Sequence, residues 1–426
     1  MLRLLWSAAR PIPRRTRRHL WSGVRPIPPD PILGLVARFK RDPDPGAVNL
    51  AQGAYRDDRG LPFVLRSVVE AERRVAQSLS EGASDKEYLG IEGCPAFLAA
   101  STALALGADS PALAQGRVAA VQSLSGTGAL RIAAESLGRI AGVRDVYLSN
   151  PSWANHAKIF QAAGLRTHQY TYLDTETGTS LDMPGFIADL EDPDIVPDGA
   201  VVLLHACAHN PTGIDPTQEQ WQDIASIFQK RKLKPLFDSA YQGYASGDLD
   251  TDAFPIRLFE RRGIPIIVCQ SFAKSMGLYG ERVGAMFIVT ESEKETSAVL
   301  SNVKQTVVRP MYSSPPLHGA RLATMLLTDS ELNAQWRAEL KSMVGRIESM
   351  RQSLVASLEV ERGRSWTHIT DQIGMFAYTG LTSDQVARML ENGIYLTNDG
   401  RISLAGMKPD DVEKVASAMR KVVAED

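Results

Sequence analysis

Between about residues 115 and 290 the chain alternates short apolar runs with amphipathic stretches, and this pattern restricts its fold more than any other feature. Such alternation reads as βαβ units, which close into a mainly parallel sheet with helices on its faces. The expected strands are 118–122, 146–149, 201–206, 235–238, 264–270 and 283–289. Thr217 and Gln220 make a capping box, followed by Trp221, Ile224, Ile227 and Phe228 on one helical face. From Trp336, the residues Leu340, Met343, Ile347, Met350 and Leu354 follow at intervals of four and three, the spacing of one long packed helix. Beyond it, segments 366–378, 382–390, 394–396, 401–404 and 409–423 alternate strand with helix in a compact second lobe. The expectation is an α/β protein with a large domain over 63–335, a linking helix and smaller α/β domain over 336–426, and a ligand cleft between them.

A chain of 426 residues with 44% apolar content can bury a core larger than one ordinary domain. No apolar run approaches the length of a membrane span. Cys94, Cys207 and Cys269 are far apart and form no C-x-x-C pair, which argues against a zinc ribbon or disulfide framework and fits buried thiols in a reducing compartment. Residues 1–29 hold seven arginines and no acid before Asp30, with few hydroxyl residues. That composition is expected of an organellar leader over 1–19, mitochondrial in the first instance, with plastid or cytoplasmic placement as alternatives. Removing residues 1–18 takes away six arginines and no acid, moving the formal charge from −2 to −8. An acidic body of this kind argues against nucleic acid as a partner. Residues 5–13 recur as 20–28, and only the second copy runs into the body.

The chemistry centres on Lys274. It follows the apolar run at 264–270, so it emerges at a strand's carboxyl end, where open α/β sheets bind ligands. A partly desolvated site there lowers the ammonium pKa and frees the amine to form an imine with a carbonyl. Ser271, three residues before, and Arg282, eight after, are both able to grip a phosphate. An aldehyde and a phosphate on one small molecule describe pyridoxal 5'-phosphate.

The string from Ser271 to Gly284, SFAKSMGLYGERVG, resembles the cofactor-lysine motif of the class I pyridoxal-phosphate aminotransferases, in particular their aspartate-using branch in its eukaryotic mitochondrial form. The resemblance runs from about Trp21 to the C-terminus. It implies a fold-type I transferase with the mature N-terminal arm and part of the small domain over 20–62. It further implies a homodimer whose subunits share their active sites.

The resemblance also assigns roles. Asp238, in FDSAYQGY, is implied to hold a proton on the cofactor's ring nitrogen, so that the ring drains charge from the substrate Cα. Tyr241 and Asn210 are implied to hydrogen-bond the phenolic oxygen, and Trp153 to stack on the ring. His205 is implied to stand behind Asp238 as a support, with His156 doing similar work. Ser125, Gly126 and Thr127 follow a strand and open a helix, where free N–H groups favour a phosphate dianion; with Ser271, Arg282 and the neighbouring subunit's tyrosine equivalent to Tyr88, they are implied to hold the phosphate. His205 and His209 are four apart, but Pro211 and Gly213 disfavour a helix, and in an extended strand they would stand about 13 Å apart, so a metal site is not expected.

Arg401 matches the clamp for the substrate's α-carboxylate, and Arg309, in VRPMYSSPP, the arginine lent across the dimer to a second carboxylate. Gly53 belongs to the small-lobe segment that closes over substrate. Two positions depart from the pattern: Ser314 stands where the family usually has Asn, and Ala51-Gln52-Gly53 replaces a commoner Gly-Val-Gly, which bears on substrate breadth. The implied reaction is reversible ping-pong transfer of an amino group from L-aspartate to 2-oxoglutarate, giving oxaloacetate and L-glutamate, with Lys274 as general base and acid. An aminotransferase preferring aromatic or kynurenine-like substrates, and a non-catalytic ligand-binding homologue, are the alternatives.

Overall fold

A computed structural model describes residues 20–359 and 365–425. The expected leader over 1–19 lies outside the described residues. At the centre is a seven-stranded sheet made of β1 (Val118–Leu124), β2 (Asp145–Asn150), β3 (Arg166–Thr171), β4 (Val201–His205), β5 (Lys234–Ser239), β6 (Ile267–Ser271) and β7 (Val283–Val289). They lie in the order β1-β7-β6-β5-β4-β2-β3. The strands from β3 to β6 pair in parallel, whereas β7 runs antiparallel to both β1 and β6. Six of these strands sit where apolar runs announced them. β3 is not visible as such a run: it is an edge strand of sequence RTHQYT in which only Tyr170 is buried. In β6 pairing begins at Ile267 rather than at 264, because Pro265 interrupts the run and has no N–H to give to a ladder.

Successive residues of each strand point to opposite faces, and both faces are covered. Val202, Leu204, Phe237, Val268 and Phe287 pack with Trp221, Phe228 and Phe259 on one side. Val201, Leu203, Leu236, Cys269 and Met286 pack with Ile132, Leu137 and Phe160 on the other. The helices that bear on the site are α1 (Ser125–Arg139), α2 (Asn155–Ala162), α3 (Gln218–Arg231) and α4 (Ser330–Leu358). α3 carries the expected capping box, with Thr217 and Gln220 bonding reciprocally. α4 starts six residues before Trp336, because Asp329 caps it by accepting the N–H of Leu332. Its stripe Trp336, Leu340, Met343, Ile347, Met350 and Leu354 is buried throughout.

Beyond α4 lies the second lobe. Phe376–Tyr378 pairs antiparallel with Arg401–Ser403, and Val48–Asn49 pairs in parallel with Ile394–Tyr395. That second pairing brings residues near the start of the chain, Gly53 among them, into the lobe built by its end. Among the described residues no helix is long and apolar enough to cross a membrane. Cys207 and Cys269 are buried as expected, but Cys94 is only half-buried.

Strand direction matters more than strand order in assembling the site. The carboxyl ends of β1, β2, β4, β5 and β6 share one edge, and the antiparallel β7 begins at that same edge. Arg282, immediately before β7, therefore meets the residues that end the other strands.

Candidate active site

Lys274 lies on the turn after β6. Phe272 anchors the turn in the core, with its ring 5.5 Å from that of Phe97, and Ser275 O accepts Trp336 Nε1 of α4 at 2.7 Å. The lysine's amine donates to Gly53 O of the second lobe and stands 5.0 Å from the centre of the Tyr279 ring. Burial lowers its pKa from 10.5 to about 7, and the nearby guanidinium groups of Arg401 and Arg282 add to the shift. The lysine is thereby poised as a nucleophile near neutrality.

Asp238 is the penultimate residue of β5, buried, with Oδ2 2.9 Å from His156 Nε2. Its other oxygen, Oδ1, is buried and has no hydrogen-bond partner among the described residues. His205 sits opposite Asp238 on the adjacent strand β4 but makes no side-chain hydrogen bond to it among the described residues; His156, at the start of α2, makes that bond, and His205 reaches it through Ser152. The links are His205 Nε2 to Ser152 Oγ at 3.3 Å and Ser152 Oγ to His156 Nδ1 at 2.8 Å. The tautomers follow from one backbone group. Asn210 N–H donates to His205 Nδ1 at 3.1 Å, so in the neutral ring Nε2 carries the proton and donates to Ser152. Ser152 then donates to His156 Nδ1, and His156 Nε2–H donates to Asp238. Burial pushes His205 down to about 3, keeping it neutral, so the series delivers a hydrogen bond to the Asp238 carboxylate.

The expected 13 Å between His205 and His209 is also wrong. Their rings lie 4.1 Å apart, because the chain folds back at Ala208 (φ 48°) while the Asp215 carboxylate accepts the N–H groups of Ala208 and His209. The two ring nitrogens of His209 bond Ser149 Oγ and Thr212 Oγ1.

At the other end of the edge, Ser125 opens α1 with φ 60°, and its Oγ is 2.8 Å from Ser271 Oγ. A Cβ on Gly126 would stand 3.2 Å from Ser271 Cβ, so glycine keeps the mouth of the helix open. Thr127 is exposed on the first turn of α1. Arg282, exposed, donates to Tyr279 O at 3.1 Å. Two hydroxyls and a helix N-terminus meet here, and Arg282 immediately precedes the strand β7 that pairs beside them.

Opposite Lys274, Arg401 is buried, with Nη1 on Asn210 Oδ1 at 3.0 Å and Nη2 on Ala51 O at 2.8 Å. Its guanidinium carbon lies 4.0 Å from the centre of the Phe376 ring, and Nε has no partner among the described residues. Desolvation lowers its pKa, a sign that a cation is held there with too little negative charge. A Cβ on Gly53 would come within 2.8 Å of Phe376 Cζ and 3.6 Å of Lys274 Nζ, so nothing larger than glycine fits over the amine. Tyr241 is buried beside this group, its ring edge-on to Phe376 at 6.2 Å, and burial raises its phenol. Trp153 is half-buried, 5.2 Å from the His156 ring.

The structure thus brings together Lys274, Asp238, Tyr241, Asn210, Ser125, Gly126, Ser271, Arg282, Gly53 and Arg401. Thr127 follows Gly126 on α1 and Trp153 packs on His156, while two residues expected to serve a neighbouring subunit's site lie apart from this group. Tyr88 is 90% exposed, and Arg309 is exposed with Nη1 on Ser313 Oγ at 2.6 Å. Phe376, Ser152 and Tyr279 escaped sequence reasoning. Tyr279 lies inside the Lys274 string and was open to notice, whereas Phe376 has no local signal.

The lowered lysine pKa carries a test. A group with pKa near 7 is about 9% neutral at pH 6 and about 91% at pH 8, so pyridoxal phosphate uptake by cofactor-free protein should quicken about tenfold across that span and level above it. Stopped-flow absorbance measures this; a rate that keeps climbing tenfold per pH unit to pH 10 would mean an ordinary lysine.

A model of the family described as aminotransferase class I and II matches residues 45–419. The chain is 48% identical over 397 residues to the mitochondrial aspartate aminotransferase of Gallus gallus, covering 92% of each. The aspartate aminotransferase from Saccharomyces cerevisiae cytoplasm is similar in structure, with TM-score 0.91 at 41% identity over 95% of this chain and 99% of that one. So is the aromatic-amino-acid aminotransferase from Burkholderia pseudomallei covalently bound to pyridoxal phosphate, with TM-score 0.89 at 40% identity over 95% and 100%.

Proposed function

Because this chain belongs to the aminotransferase class I and II family, we propose an assignment of its site residues to the reversible transfer of an amino group from L-aspartate to 2-oxoglutarate, giving oxaloacetate and L-glutamate. The reaction depends on pyridoxal phosphate. The observation that carries the assignment is the pairing of a depressed-pKa lysine with a buried arginine whose side chain hydrogen-bonds an amide and a carbonyl and forms no ion pair among the described residues.

The residues fit the cofactor. Asp238 Oδ1, buried and unpartnered, is placed to receive a ring N–H; Ser125, Gly126, Thr127, Ser271 and Arg282 suit its phosphate; and Lys274 is the residue for its aldehyde carbon. When bound, pyridoxal phosphate supplies an electron-withdrawing ring that stabilises negative charge at the substrate Cα. The rest is done by the chain. Arg401 binds the α-carboxylate and orients the Cα–H bond, Asn210 holds Arg401 in place, and Gly53 leaves room above Lys274. Lys274 Nζ removes the Cα proton of the amino acid and, in the opposite half of the cycle, returns one to the oxo acid. The series His205–Ser152–His156 donates to the Asp238 carboxylate and fixes its orientation.

Arg309 and Tyr88 complete the site of a second copy of this chain in a homodimer, which is supported by their exposure. Arg309 there serves the side-chain carboxylate of dicarboxylic substrates. Arg309→Ala should therefore lower kcat/KM for aspartate by about 10- to 150-fold, the worth of one charged hydrogen-bond pair, and leave alanine unaffected. An unchanged aspartate-to-alanine ratio would count against the assignment. A mitochondrial location is supported by the arginine-rich first residues and by the relative from Gallus gallus.

A purified protein that is yellow, and bleached by aspartate faster than by phenylalanine at equal concentration, is the expected result. Faster bleaching by phenylalanine would favour the aromatic reading, and no bleaching by either would favour a binding protein.

A further inference from the structure

Gln122 is wholly buried in β1, three residues before Ser125, and four of its polar groups are committed to two other segments. Its N–H donates to Glu92 O at 2.7 Å, and its Oε1 accepts Cys94 N–H at 3.0 Å. Its Nε2 donates to Pro316 O at 2.7 Å, and its carbonyl accepts Tyr312 Oη–H at 2.8 Å. The first pair holds the segment that follows Tyr88. The second pair holds the segment that carries Arg309, which shares a four-residue helical turn with Tyr312. A Lys304–Glu92 ion pair at 2.6 Å joins the two segments directly. The packing around the amide is equally close: a Cβ on Gly93 (φ 105°) would collide with Gln122 Cβ and stand 3.2 Å from Pro315 Cγ. Burial keeps the Tyr312 phenol protonated and donating.

A buried amide is costly unless it is fully bonded, and an aliphatic side chain would fill comparable space without that cost. What the amide adds is a fixed relation between segments. We propose that Gln122, together with Tyr312, is a positioning residue that sets the exposed Arg309 and Tyr88 in register with the phosphate-binding turn at Ser125. The proposal rests on the assignment of Arg309 to the second substrate carboxylate. It makes dicarboxylate selectivity depend on a residue inside the sheet.

The test uses the holoenzyme and compares aspartate with alanine, which has no second carboxylate. Tyr312→Phe keeps the ring and removes one hydrogen bond; KM for aspartate and for 2-oxoglutarate should rise about fivefold, with kcat/KM for alanine within about twofold of the parent. Gln122→Leu should raise the same KM values about 20-fold and weaken pyridoxal phosphate retention on dilution, because the segment after Tyr88 is released too. Should Gln122→Leu fail to fold, Tyr312→Phe decides alone. Equal effects on aspartate and alanine, or no effect on either, overturn the proposal. Arg309→Ala separates the two layers: if it leaves the aspartate-to-alanine ratio unchanged, the carboxylate assignment fails, whereas if it collapses the ratio and Tyr312→Phe does not move it, only the brace fails.

Discussion

Lys274→Ala is expected to lower aspartate turnover by at least ~10⁴-fold, the range of a positioned general acid–base, with its covalent role lost as well. The reason lies in how few substitutes the site offers. Asp238 is turned toward His156, Tyr241 is buried with its phenol raised well above neutrality, and Arg401 and Arg282 remain charged. Among these neighbours only Lys274 has a pKa near 7, at which it is able both to take and to give a proton. The removed side chain faces Gly53 O and the Tyr279 ring rather than a close-packed core, so the variant should fold and still bind pyridoxal phosphate through its phosphate. Steady-state rates and spectra of the purified variant check this; residual activity within about a hundredfold of the parent would mean that another group moves the proton.

Asp238→Asn should cost about 10² to 10⁴ in kcat with little change in KM. An amide keeps the shape but, on the proposed assignment, removes the negative charge that would face the cofactor's ring nitrogen. The loss should fall on the step that places charge at Cα, not on substrate capture, which the proposal gives to Arg401. Asp238→Glu retains the charge and displaces it, so it should recover part of the loss. His156→Asn should reduce kcat less, because it weakens one hydrogen bond to the carboxylate and leaves the charge. A KM effect larger than the kcat effect in Asp238→Asn would place this residue in substrate binding instead.

Local patterns revealed much of this architecture and long-range geometry supplied the remainder. Apolar alternation marked six of the seven large strands, and the Lys274 and Asp238 strings lay next to strand ends. Periodicity carries no direction, so nothing in it announced that β7 runs antiparallel and thereby delivers Arg282 to the shared edge. β3 was hidden by its polarity, as an edge strand's can be. The fold-back at Ala208 depends on Asp215 bonding two N–H groups six and seven residues earlier, and that contact brings the His205 and His209 rings together instead of separating them. Phe376 beneath Arg401, Val48 beside Ile394 and the Gln122 brace all join parts of the chain with no local mark of their meeting.

All of this chemistry requires Lys274 to be the residue that holds pyridoxal phosphate. Borohydride reduction of the holoenzyme fixes the cofactor to whichever amine carries it, and proteolysis with mass spectrometry locates that amine. The expected result is one modified peptide, with the added mass on Lys274. Modification at another lysine, or a peptide map without any, would contradict it.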